Sequence, residues 1–373
     1  NLSIKPGEYL SEARLEAETE RSASWMRRNG WFGFTKNYYS FEADTLGKKD
    51  TADLRMIINE YTRNQSADYA KPFRKYSIGD VSISWDKDLA FNQRILKEMN
   101  TIRPGALYNE REVNNTYSRF SALKVFSGVN ITLDPRDSAD VVDCGIILTP
   151  SKTQGFKINL EASTNSNSLI SYSPQISYFH KNIFHGAEIF QLSLRGGLEA
   201  QKLIGSEVAE SGQSVFNTRE FGITASLTFP KFLSPFTSIT FARDYQPTTT
   251  VSVGINGQVR YYYSRYITTA SLSYDWKSNY RLGQTFSPFN LNSVKITNIN
   301  PNFQNYPDAE TSQRKKAQYT SHLLLGTRYS LTYSTQRFNK EGSFFYIRTD
   351  FESSGNLLSL FNKTKLITES NDG

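Results

Sequence analysis

The sequence predicts a β-dominated chain: an α+β N-terminal part followed by an antiparallel sheet with one apolar and one polar face. Three observations predict it. First, Phe221, Ile223, Ala225, Leu227 and Phe229 alternate with small or polar residues, a period of two that marks a strand with one greasy face. The same alternation runs through Phe156–Ala162, Ile170–Tyr178, Ala270–Trp276 and Tyr329–Tyr333. Second, helical patterning is confined to residues before about 153 and is absent from Gly155 onward. Third, no apolar run approaches the ~18 residues that a spanning helix needs, although 38% of the chain is hydrophobic. Two architectures fit the second part, a soluble antiparallel sandwich or a membrane barrel with a polar lumen.

In chain order, Ser11 to Gly30 carries Ala13, Leu15, Ala17, Ala23, Trp25 and Met26 among charged residues, an amphipathic helix that Gly30 ends. Strands are expected at Phe32–Ala43 and Ala52–Tyr61, joined by the turn-like Leu46–Asp50. Lys5-Pro-Gly-Glu-Tyr-Leu10 then has an echo in Arg103-Pro-Gly-Ala-Leu-Tyr108. Tyr76–Trp85 precedes the second copy as an extended segment, and a helical stretch, Asn109–Leu123, follows it. Two more strands come next, Phe126–Leu133 and Val141–Leu148, parted by Asp134-Pro-Arg-Asp137. The N-terminal part therefore reads as two copies of a β-α-α-β-β unit, the first lacking most of its opening strand, and such self-similarity points to tandem modules.

Strands are expected next at 156–167, 169–181, 187–202, 216–230, 237–246, 251–277, 281–297, 319–336 and 343–356. The segment 251–277 reads as two strands hairpinned around Gly254 to Gly257. Several exceed the ~5–6 residues usual for soluble strands and suit the ~9–11 of a membrane crossing. Asn165–Ser168 is a tight turn, whereas Gly205–Gln213 and Asn298–Lys316 are long and polar. Short turns at one rim and long loops at the other are the asymmetry of an outer-membrane barrel.

Composition bounds the functions. Aromatics reach 14%, with 25 Phe and 22 Tyr, an excess that aromatic girdles at two membrane interfaces would use and that a soluble sandwich could also carry. The net charge is +7 from 43 basic and 36 acidic residues. Its densest basic run, Arg314-Lys-Lys316, is too short to argue for nucleic acid. Cys144, the one cysteine, sits in an apolar strand as a small packing residue and rules out a disulfide framework. The chain opens at Asn1 without an initiator Met, which reads as a fragment or a processed form.

Pro104-Gly105 with Tyr108-Asn109, then Thr116-Tyr-Ser-Arg-Phe120 and Leu123-Lys-Val-Phe126, resemble the last POTRA module of outer-membrane protein assembly factors. Leu148–Lys152, Gly155-Phe156 and Glu161-Ala-Ser163 resemble the start of that family's barrel. Asn182-Ile-Phe-His-Gly186-Ala-Glu188 and Arg195-Gly-Gly197-Leu-Glu199 fit its second and third strands. The resemblance is to the surface-antigen, BamA/TamA-type branch and runs from Lys5 to about Leu360. It implies a POTRA module over 1–68, a second over 69–153, and the N-terminal portion of a transmembrane β-barrel over 154–373, incomplete in this chain. The family's barrel has 16 strands, a gate between its first and last strands, and an Arg-Gly motif on a late loop folding into the lumen. No late Arg-Gly loop is present, and Arg195-Gly196 lies too early to be it.

The function so implied is assembly, insertion or translocation of outer-membrane proteins, the alternative being a passive channel or structural barrel with docking modules. The first barrel strand, Phe156, Lys157, Ile158, Asn159, Leu160 and Glu161, would template an incoming client strand, since backbone groups of an edge pair with any sequence. The bland alternative is a lumen-facing row. Val129, Asn130, Ile131, Thr132 and Leu133 could likewise capture an extended peptide if they form an edge; otherwise they are core. The partners expected are unfolded outer-membrane protein clients, outer-membrane lipid and periplasmic or lipoprotein accessory subunits, with no nucleic acid. The place expected is the bacterial outer membrane, with the N-terminal modules in the periplasm.

No enzyme chemistry, cofactor or metal is expected. His180, His185 and His322 are the only imidazoles. Ser321 beside His322 lacks a Gly-x-Ser-x-Gly elbow. His180 and His185 are poorly spaced for a metal. Asp134, Asp137, Asp140 and Asp143 crowd one hairpin and could attract calcium, but lack the Gly and Glu positions of an EF-hand. Arg348, Asp350 and Glu352 share one strand face, which fits a charged lumen or a solvated surface equally.

Overall fold

The structure, a computed structural model of the chain, describes residues 4–46, 51–59, 74–86, 88–136, 139–164, 168–201, 216–233, 247–260, 263–279, 281–299, 320–336 and 343–355. They fall into two compact units, Asn1–Ser151 and Lys152–Gly373.

In the N-terminal unit, α1 (Glu12–Arg28) starts at Ser11, whose hydroxyl accepts from the Arg14 N–H, and is followed by Asn29 and Gly30 at φ +98°. The strand expected at Phe32–Ala43 is shorter than its alternation suggested. Gly33 adopts φ +74° and a 3-10 turn covers Lys36–Tyr38, so β1 spans only Tyr39–Asp44. The reason is burial: the Phe34 ring is 1% exposed and packs on Tyr38 and Tyr39 at 5.1 and 5.5 Å. β1 pairs antiparallel with β2 (Asp53–Ile58).

The second part of this unit has β3 (Ser77–Trp85), α2 (Gln93–Met99), α3 (Glu110–Ala122), β4 (Phe126–Arg136) and β5 (Val141–Pro150). Its sheet has the order β3-β5-β4, with β3 parallel and β4 antiparallel to β5. The short helix α2 escaped sequence reading; an Asn92 cap and the buried Leu96 hold it. β4 runs three residues beyond Leu133, pairing Asp134, Pro135 and Arg136 with Asp143, Val142 and Val141. Pro135 is tolerated because β4 is an edge strand. The core is Phe120, Val125, Val142, Cys144, Ile146 and Leu148, each at most 2% exposed. Burial pushes the Cys144 thiol up to about 11, so it stays a neutral packing group at pH 7.

The C-terminal unit is one antiparallel meander. Its strands are β6 (Gln154–Ser163), β7 (Ser168–His180), β8 (Ile189–Gln201), β9 (Thr218–Phe229), β10 (Thr248–Val259), β11 (Ser264–Lys277), β12 (Leu282–Thr297), β13 (His322–Ser334) and β14 (Tyr346–Ser354). Each pairs with its sequence neighbours, in the order β14 through β6. Among the described residues the sheet is not closed. The strand expected at 237–246 lies outside the described residues. The turn expected at Gly254–Gly257 is instead strand: both glycines lie in β10, paired on both sides, and the chain reverses at 260–263, where the Arg260 N–H donates to the Tyr263 carbonyl (3.0 Å). A Cβ on Gly254 would come within 3.0 Å of the Thr224 and Thr269 hydroxyls, so glycine serves close strand approach here. The long connections expected at Gly205–Gln213 and Asn298–Lys316, and with them any difference between the two rims, lie almost wholly outside the described residues.

The two faces differ as the alternation requires. One carries the row Leu192, Ala225, Val253, Ala270, Leu291 and Leu325 across β8 to β13. Further along the strands a mostly aromatic row follows: Phe229, Thr249, Tyr274, Phe286, Tyr329 and Phe351. On the far side of the aliphatic rows stand Phe221 and Tyr266. Phe221 and Phe229 are separated by roughly 27 Å of strand at ~3.4 Å per residue. Many side chains on this face are open, Phe351 at 64% and Ile255 at 56%. The opposite face is polar and cross-linked strand to strand by hydroxyl pairs: Ser177–Ser193 (2.9 Å), Thr228–Thr250 (3.1 Å), Ser252–Ser271 (2.7 Å) and Ser273–Ser287 (2.8 Å).

Two outcomes test the N-terminal unit. The Thr116 hydroxyl, fully buried, accepts from the Thr101 N–H (3.0 Å) and meets the Thr101 hydroxyl (2.9 Å). Thr116→Val should cost about 1–3 kcal/mol by stranding that N–H, read in urea by tryptophan fluorescence, since three of the four tryptophans (Trp25, Trp31 and Trp85) lie here. The Asp143 carboxyl is held below its ordinary value, first by the Asp80 N–H and then by Arg136, against opposing desolvation. A depressed carboxyl stabilises the fold above its unfolded value, near 4, and that contribution fades as pH falls through the folded value. Asp143→Asn should therefore unfold at lower urea than wild type at pH 7, with the gap closing towards pH 2.

Candidate functional site

The sequence singled out two strands, and both are edges. β6 pairs with β7 alone among the described residues, from Gln154–His180 to Ser163–Ser171. Its residues alternate: Phe156, Ile158 and Leu160 lie on the apolar face at 74–76% exposure, and Lys157, Asn159 and Glu161 on the polar face. Those three polar side chains have no hydrogen-bond or ion-pair partner among the described residues. At the other end of the sheet, β14 differs. Arg348 holds Asp350 (3.0 Å), Glu352 holds Arg328 (3.1 Å), and Ser330 donates to Asp350. The charged row of β14 is internally compensated, and that of β6 is open.

The start of β6 is fixed by packing. A Cβ on Gly155 would fall 2.5 Å from the Phe179 ring, so only glycine lets that ring lie across the strand. Phe156 stacks on Tyr178 at 5.3 Å. Further along, Leu160 faces Pro174, and the β7–β8 ladder has no partners at Ser173 and Pro174. Proline cannot donate to a ladder, so the first hairpin is bound less continuously to the sheet than the strands beyond it.

In the N-terminal unit, Val129, Asn130, Ile131, Thr132 and Leu133 lie on β4 and, among the described residues, pair only with Leu148 to Cys144 of β5. The opposite edge of that sheet, β3, is covered by 105–108: the Ile78 N–H donates to the Ala106 carbonyl (2.7 Å) and the Gly105 N–H to the Ile78 carbonyl (2.7 Å). Among the described residues, β4 is therefore the open edge.

The remaining candidates dissolve into structure. The Ser321 hydroxyl accepts from the Ile296 N–H (2.9 Å) and the His322 ring lies 2.9 Å from the Thr320 carbonyl, so the two do not form a dyad. His180 accepts from the Asn182 N–H (3.2 Å) and His185 occupies a turn at φ +63°. Asp143 is bound by Arg136 (2.7 Å) and Asp140 by Arg74 (3.2 Å); Asp137 lies outside the described residues. No group of three metal-ligating side chains is found among the described residues.

Sequence reading missed a pocket of about 220 Å³ on the polar face, lined by Gln175, Ser193, Arg195, Thr224, Asn256 and Thr269 over Gly222 and Gly254. Its signal was faint: two glycines at polar-face positions of otherwise regular strands.

No family model and no curated protein matches the sequence. Among solved structures the chain is similar to CdiB from Acinetobacter baumannii, with a TM-score of 0.50 and 11% identity over 94% of this chain and 55% of that one. It is also similar to BamA from Haemophilus ducreyi lacking POTRA domains 1-3, with a TM-score of 0.48 and 12% identity over 94% of this chain and 59% of that one. The chain thus spans somewhat more than half of each. The likeness to CdiB, a barrel of the Omp85 superfamily, is one of fold, and it agrees with the resemblance to BamA/TamA-type proteins carried by the sequence.

The free edge gives a direct outcome. In hydrogen–deuterium exchange on the whole chain, about half the amides of 154–163 should exchange without protection, because only one side of β6 is bonded. Those of 248–259, bonded on both sides, should be protected throughout. Full protection of 154–163 would show that another strand covers it.

Proposed function

We propose that this chain belongs to an outer-membrane barrel that assembles or translocates outer-membrane proteins. Residues 1–68 and 69–153 serve as POTRA modules on the periplasmic side, and 154–373 as the barrel-forming segment. The observation that carries the reading is an inverted sheet that ends in an open strand. Its large apolar side chains are exposed together on one face, polar side chains of the other face are hydrogen-bonded across strands, and β6 offers a backbone edge unpaired among the described residues, with uncompensated side chains beside it.

A sheet with this polarity matches lipid on one side and water on the other. In hydrocarbon each unpaired backbone group costs several kcal/mol, so a client strand gains most by pairing before it meets lipid. Backbone pairing along Phe156–Glu161 needs no side-chain code, which suits clients of many sequences. Val129–Leu133 of β4 would hold an extended client or an accessory subunit in the same manner. The step is hydrogen-bond exchange, with no covalent chemistry and no cofactor.

The test places a photoreactive residue at Asn159, and at Ser252 in the interior strand β10 as a control, in the protein reconstituted in liposomes. Adding a denatured outer-membrane barrel should yield crosslinks from position 159 alone, with client folding faster than in empty liposomes. Ion conduction without crosslinks or acceleration would instead establish the passive channel.

A further inference from the structure

We propose that the pocket on the polar face is a binding site for an acidic side chain of a polypeptide segment. This goes beyond the templating role of β6 and stands on different strands. The pocket is built by register. Gln175, Arg195, Gly222, Asn256 and Ile267 form one row across β7 to β11, and Ser177, Ser193, Thr224, Gly254 and Thr269 form the next. Gly222 stands between Arg195 and Asn256, whose backbones are two strand spacings apart, roughly 9–10 Å. A Cβ on Gly222 would come within 3.0 Å of the Asn256 amide nitrogen, and one on Gly254 equally close to two threonine hydroxyls. The two glycines are what leave the floor open.

Of the lining groups, Gln175 and Ser193 are both bonded to Ser177, and Arg195, Thr224, Asn256 and Thr269 are the ones left unmatched among the described residues. Three other arginines of this face are engaged: Arg265 donates to Gln258, which donates to Glu220, and Arg328 and Arg348 hold carboxylates. Arg195 has no partner among the described residues, and neither do the Thr224 and Thr269 hydroxyls. The Asn256 side-chain oxygen is buried without a partner. An exposed guanidinium presents a fork that fits a carboxylate through two parallel bonds. The Asn256 oxygen calls for a donor, which the carboxylate lacks and a neighbouring peptide N–H supplies. Charge and donor together specify glutamate or aspartate within a chain. The volume, about seven waters' worth, admits such a side chain and excludes a folded domain.

The test uses the whole chain, folded in detergent micelles, and calorimetric titration with three probes: a capped tripeptide with central Glu, its Gln counterpart, and free glutarate. The Glu peptide should bind at least tenfold more tightly than the Gln peptide and more tightly than glutarate. Arg195→Gln should erase the preference for Glu over Gln, Arg195→Lys should keep part of it, and Gly254→Ala should weaken the Glu peptide by filling the floor while leaving the charge. Equal binding of Glu and Gln peptides, or no binding of either, overturns the site. Glutarate binding as tightly as the Glu peptide overturns the assignment to a polypeptide.

Discussion

Every extended strand exposes a row of backbone donors and acceptors, and the whole C-terminal unit is arranged around satisfying them. Interior strands β7 to β13 are paired on both sides. The requirement also explains where proline is found: Pro135 on an edge, and Pro288 beside the register shift between Ser287 and Asn290. Pro174 is the exception, sitting in β7 inside the sheet and interrupting its ladder. The strand that this weak point helps to isolate is β6, whose outer row of groups meets no partner among the described residues.

Polarity follows from the same geometry. Because side chains alternate, one register sets aliphatic residues of neighbouring strands side by side on one face and brings several hydroxyls together on the other. The polar face is then stabilised by short cross-strand hydrogen bonds, and many side chains of the apolar face are left uncovered among the described residues. Aromatic residues gather at the two ends of that face and aliphatic ones between them, an order that suits a solvent whose middle is hydrocarbon and whose margins are mixed.

The period-two signal was strong enough to locate the strands of the described large sheet, because alternation is written in neighbouring residues. What it could not convey was non-local. Gly254 and Gly257 read as a turn because glycine favours turns, yet crowding by Thr224, Thr269 and Tyr266 from adjacent strands is what calls for them. Phe32 and Phe34 alternate like a strand, but Phe34 is drawn into the core and the backbone turns to follow it. The expectation for β6 and β4 rested on resemblance; their edge positions depend on strand order, which no local pattern carries. The pocket was least legible, since Arg195, Gly222 and Asn256 meet only once three strands are in register.

The meander order has an implication for how such a chain comes into being and changes. Among the described residues each strand of the large sheet pairs only with the strands before and after it in sequence, so these contacts are short-range and can form as soon as a hairpin exists. Assembly can advance by accretion, one hairpin laid against the last. Gain or loss of a whole hairpin preserves the alternation of every other strand, whereas gain or loss of a single residue within a strand inverts it from that point on. Duplication in pairs of strands is thus the change this architecture tolerates best.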